Sequence, residues 1–199
     1  MEEMTTHIGI EAGNGLVGRF GDTVVLIPRG APAVGADETA RELIELAAAV
    51  ASDREVPASA IAARLAGWVI GHLAGDLTAF GIVTPVPDGV VVFLRGAVWC
   101  TVTAGGSARE LSGEQALTWV DQIIASTFER LAIGGVPGQP VQPDPMSDLR
   151  EGVVPGQGFV LTRRAGGGGA EGLAAAAERG LDRAAAPEPA AARAAAPEP

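Results

Sequence analysis

The chain has no lysine and no tyrosine, a single cysteine and two histidines. Each shortage removes a class of explanation. One cysteine, Cys100, rules out an internal disulfide and fits a reducing compartment. One cysteine with two histidines also leaves too few ligands for a zinc site of usual composition. Arginine supplies all fourteen basic side chains against 24 acidic ones, a net charge of −10. Phosphate-backbone binding depends on basic density, so nucleic acid and anionic membrane surfaces are not expected partners. No run of roughly eighteen uncharged apolar residues occurs, so no membrane span is expected. The richest stretch, residues 65–75, is short and contains His72. The start, MEEMTTHIGIEAG, is acidic and lacks the apolar segment of a secretory signal, so the expected address is cytoplasmic.

What is present is clearest between Phe80 and Val120. Asp88-Gly89 is a hairpin dipeptide between two runs rich in β-branched and aromatic residues, 80–84 and 90–94. Arg95-Gly96 punctuates, and residues 97–102 read as a third strand of a meander. Ser112, with Gln115 three places on, reads as a capping box opening a helix over residues 113–125. Upstream, residues 15–20 and 23–27 form a hairpin around Gly21-Asp22. Asp37 caps a helix from Glu38 to Ala51, and Pro57 precedes another from Ala58 to Leu73. Ile61, Leu65, Trp68, Val69 and His72 share a stripe on the second helix. Residues 127–133 and 158–162 read as strands, 134–148 as loop, and 1–13 as a frayed lead-in. Trp68, Trp99 and Trp119 read as three walls of one core.

From residue 165 the composition shifts to Ala, Gly, Pro and Glu with no aromatic residue. Such a segment buries too little apolar surface to offset its ordering entropy. The expected organisation is an α+β domain over residues 8–164, an antiparallel sheet or sheets with three helices packed on them. A disordered linker or tail over 165–199 follows it.

Chemistry is sparse. Gly13-Asn14-Gly15-Leu16-Val17-Gly18 matches G-x-G-x-x-G, but a strand follows where a dinucleotide site needs a helix. Cys100 reads as a buried structural cysteine and His72 as a helix-end cation. Asp148 reads as the ion-pair partner of Arg150. Asp22, Asp76 and Asp88 are the carboxylates available to a divalent cation, yet turns and a helix exit account for each. No cofactor is expected and no catalytic set emerges.

Two resemblances add to this. Residues 13–27, the Asp88-Gly89 hairpin, Leu111–Val120 and Asp148–Leu161 resemble the N-terminal domain of actinobacterial proteins that carry a forkhead-associated (FHA) domain beyond a Pro/Ala-rich linker. That resemblance implies a non-catalytic regulatory or adaptor domain of a signalling protein, with protein partners. The FHA core pattern is absent from this chain, which implies a truncated chain or a lost module. The weaker resemblance is to the metal-dependent serine/threonine protein phosphatase fold. It would place Asp22 near the first metal-binding aspartate. Arg95-Gly96-Ala97 stands where that family tends to have Gly-Asp-Ser, and its Asp-Gly-x-Gly-Gly loop has no counterpart here. A degenerate relative, or a hydrolase with an atypical site using Asp22, Asp76 or Asp88, follows from it.

Overall fold

Alternation of apolar side chains at a period of two marks a half-buried strand, and an unbroken apolar run marks one buried on both faces. Both kinds occur in the computed structural model of the chain, which describes residues 6–29, 36–52, 58–72, 79–116, 118–136 and 138–163. The strands are Thr6–Glu11 (β1), Leu16–Phe20 (β2), Thr23–Ile27 (β3), Phe80–Val86 (β4), Gly89–Arg95 (β5) and Trp99–Ala104 (β6). Ser107–Ser112 (β7), Val120–Ala125 (β8), Arg130–Gly134 (β9), Gly152–Pro155 (β10) and Gly158–Arg163 (β11) complete them. Helices run over Ala36–Ser52 (α1) and Ala58–Gly71 (α2). The strands pair antiparallel in two sheets. One has the order β1-β11-β9-β6-β7 and the other β10-β2-β3-β4-β5-β8.

The uniformly apolar strand β3 explains the layering. Val24 and Leu26 point into a core between the two sheets, with Ile8, Val92, Leu131 and Phe159. Val25 and Ile27 point the other way, into a second core under the helices with Leu43, Ala47, Leu65 and Phe93. The six-stranded sheet is therefore the middle layer, and α1 and α2 cover its outer face. Thr23 and Thr84 are the buried polar side chains of the described residues, and they satisfy each other through a 2.8 Å hydrogen bond. Among the described residues no helix is long and apolar enough to cross a membrane.

The expectation of three helices is overturned: the described residues hold two α-helices and eleven strands. Ser112 does cap, its Oγ accepting from Glu114 N at 3.3 Å, but only a single 3₁₀ turn over Gly113–Gln115 follows. Ala116 is already extended, with φ −113° and ψ 140°. Gly113 N–H is taken by Val98 O at 2.9 Å, which pins the turn beside the end of β5. Residues 120–125 then pair with β5 from Leu94↔Val120 to Gly89↔Ala125. The tertiary demand for an edge partner outweighs local helix preference, which is worth only about 0.7 kcal/mol or less per ordinary residue.

Other expectations also shift. The three-stranded meander divides, because β6 turns at Gly96 (φ +65°) and joins β9 and β7 in the other sheet. The supposed lead-in is strand β1, paired with β11 from Thr6↔Arg163 to Glu11↔Gly158. Strands β7 and β10 add to the expected set, and β9 begins at Arg130 rather than at residue 127. The hairpin β2–β3, the two helices and β11 lie where expected, within a few residues at their ends. Asp37 falls inside the first turn of α1, paired with Arg29 at 2.7 Å. The three tryptophans do not wall one core. Trp68 and Trp119 pack against the helix-side cluster, and Trp99 belongs to neither of the two large clusters. Leu73, Asp76 and residues 165–199 lie outside the described residues.

Two measurements test this packing. Gly89 has φ +152°, and a Cβ there would sit 2.0 Å from Ile124 O on β8. Gly89→Ala is expected to cost about 3 kcal/mol or more in urea unfolding. Gly21→Ala, in open space at φ +56°, should cost only about 1–2 kcal/mol. Burial pushes the Cys100 thiol up to about 12. On the order of 10⁻⁵ of it is then thiolate at pH 7, and thiolate is the reactive form. The folded protein should leave a disulfide-type thiol reagent unreacted, and the urea-unfolded protein should consume one equivalent.

Candidate functional site

Register places several chemically able side chains at one end of the sandwich. Val24 opposes Val83, and Val83 opposes Val92, so the β2–β3 turn at Gly21-Asp22 and the β4–β5 turn at Pro87-Asp88 lie at the same end. Strand β10 starts there, with Gly152 opposite Arg19, and β11 finishes there at Arg163. Between the two sheets at this end is a cleft of about 180 Å³. Ile8, Val90 and Leu161 give it apolar walls, and Thr6, Arg19, Asp22 and Arg163 give it polar ones.

Both arginines are held by backbone carbonyls. Arg19 donates from Nε to Gly21 O and from Nη1 to Leu149 O, each at 2.8 Å. Its side chain is only 12% exposed, and its Nη2 lies 3.9 Å from Asp22 Oδ1. Asp22 is itself 70% exposed, so solvent screening leaves this ion pair weak. Arg163 donates from Nη1 to Ser126 O at 2.6 Å, and its guanidinium lies 4.5 Å from the centre of the Phe128 ring. Burial lowers the Arg163 pKa from its ordinary value, yet an arginine so placed stays charged at neutral pH. Neither guanidinium spends all five of its donors on these carbonyls.

Of the carboxylates proposed for a cation, Asp22 and Asp88 stand on separate turns. Asp22 lines the cleft. Asp88 sits on the next hairpin, two strand spacings or about 10 Å away along the sheet. A divalent cation needs oxygen ligands at about 2.0–2.6 Å, so these two turns do not place them around one ion. Asp76 is outside the described residues. Among the described residues no group of three or more His, Cys, Asp or Glu is placed to hold a metal.

The remaining candidates have local roles. The glycine-rich segment 13–18 runs from the β1–β2 connection into β2, so a strand, not a helix, follows its turn. His72 Nδ1 meets Trp68 O at 2.8 Å and Nε2 meets Glu42 Oε2 at 2.8 Å, tying α2 to α1. Asp148 pairs with Arg150 at 2.6 Å, as expected, and also accepts from Ile8 N at 3.4 Å. Sequence reasoning passed over Arg19 and Arg163, which are 144 positions apart and become neighbours of one cleft only through the sheet order. The one local signal is an arginine at or next to the C-terminal end of each of two short strands, β2 and β11.

Comparisons with known proteins add little. No protein-family model matches the chain, and no curated protein matches it. Nothing in them supports the resemblance to FHA-associated proteins. Among solved structures the chain is similar to a mutated bacterial serine phosphatase. The TM-score is 0.48 and the identity 11%, over 81% of this chain and 98% of the other. At that level of likeness it carries no inference for this chain.

Proposed function

We propose that this domain binds a phosphate-bearing ligand in the cleft at the open end of the sandwich, as a regulatory binding module. The observation that carries this is the pair of carbonyl-anchored guanidiniums, one from each sheet, lining a single cleft. Guanidinium forks match phosphate oxygens, and anchoring them beforehand lowers the entropy lost on binding. The chain carries a net charge of −10, so unspecific anion capture is disfavoured and a local site is needed. On this reading residues 165–199 serve as a tether to whatever the module regulates.

A second reading is a metal-assisted phosphoester hydrolase, favoured by the carboxylate of Asp22 in the same cleft as both arginines. Asp22 would be the cation ligand there, and the arginines would hold the ester oxygens. Two experiments separate the readings. Titration with phosphothreonine or inorganic phosphate, followed by ³¹P NMR, should show saturable binding. Arg19→Ala and Arg163→Ala should each weaken it at least about tenfold, a change of about 1.4 kcal/mol. Saturable binding that neither substitution alters would place the site elsewhere. Incubation with manganese and p-nitrophenyl phosphate should release no phosphate. Manganese-dependent turnover lost in Asp22→Ala would establish the hydrolase instead.

A further inference from the structure

The hairpin turn that carries Asp22 and holds Arg19 is itself held by a side chain from a distant segment. Glu151 Oε2 accepts a hydrogen bond from Gly21 N at 3.1 Å. Gly21 O in turn accepts from Arg19 Nε at 2.8 Å. Two residues before Glu151, Leu149 O accepts from Arg19 Nη1 at 2.8 Å, while Leu149 N donates to Ile8 O on β1 at 2.9 Å. The segment Asp148–Glu151 therefore ties β1 of one sheet to the β2–β3 hairpin of the other, beside the cleft. Pairing of β10 with β2 begins immediately after it, at Gly152↔Arg19.

Glu151 is exposed and negatively charged, next to a cleft whose proposed ligand is an anion. Its charge opposes such a ligand. Its hydrogen bond, by contrast, holds the amide of Gly21, the residue whose carbonyl accepts from Arg19 Nε. Resting on the phosphate-binding reading, we infer that Glu151 is a positioning residue: it locks the Gly21-Asp22 turn so that Arg19 presents its free N–H edge to the cleft. The charge and the hydrogen bond act in opposite directions on affinity, and substitution separates them.

Glu151→Gln keeps an acceptor oxygen and removes the charge. Glu151→Ala removes both. The full chain and both variants are titrated with inorganic phosphate, and the Arg19 Nε–H resonance is followed in ligand-free ¹⁵N-labelled protein. Glu151→Gln should bind phosphate more tightly than the parent chain. Glu151→Ala should bind it about fivefold more weakly, in spite of the lost negative charge. The Arg19 Nε–H should exchange with solvent faster in Glu151→Ala and stay protected in Glu151→Gln. A Glu151→Ala variant that binds as tightly as Glu151→Gln, or an Arg19 Nε–H equally protected in all three proteins, overturns the inference. If the parent chain fails to bind phosphate, the functional reading falls, and the exchange of the Arg19 Nε–H still decides whether Glu151 positions it.

Discussion

Burial of β3, β4 and β5 on both faces is the constraint from which the rest of the architecture follows. A strand with apolar side chains on both sides needs a covering layer above and below it. One layer is the five-stranded sheet, reached through the corner at Gly96, and the other is the helix pair α1–α2. Each buried apolar side chain is worth about 1.5–3 kcal/mol relative to exposure, so leaving either face bare would cost more than a domain's usual net stability. Residues 113–125 yield to the same demand. A third helix there would have left β5 as a bare edge, and the chain instead gives β5 the partner strand β8.

The candidate site inherits its rigidity from that frame. Arg19 and Arg163 are side chains of paired strands, not of free loops, and each is tied to a main-chain carbonyl. A long cationic side chain in solution loses rotamer freedom when it captures a ligand, up to about 2 kcal/mol on common scales. Here much of that freedom is already lost in the folded protein. The carboxylates differ: Asp22 and Asp88 stand on exposed turns, and only Asp22 faces the cleft.

The parts of the fold legible in the sequence are those written locally. Gly21-Asp22 and Asp88-Gly89 announce hairpins, and the three-four spacing of Leu43, Ala47 and Val50 announces α1. Gly105-Gly106, with positive φ at both residues, was an equally good hairpin signal for β6–β7. It was masked because β7 is exposed and shows no apolar alternation. What the sequence could not carry is pairing at a distance. Ser112 and its neighbours look like a helix start, and only the empty edge of β5 makes them a turn and a strand. Ile8 and Ile10 look like a short lead-in until β11 arrives to pair with them. The cleft was illegible for the same reason, since its two arginines come from opposite ends of the domain. Conversely Cys100, read as structural from its apolar setting, is fully buried.

The pairing of β1 with β11 also bears on how the domain is made. Synthesis runs from the N-terminus, so β1 emerges first and waits for the last strand before it has a partner. Until then Ile8 and Ile10 have no sheet to enter, and β9 lacks its neighbour on that side. A growing chain that stalls before residue 158 therefore carries open strand edges, the kind of surface that pairs with other chains. Only β11 completes that sheet: the strand that begins it is paired by the last strand in the order of synthesis.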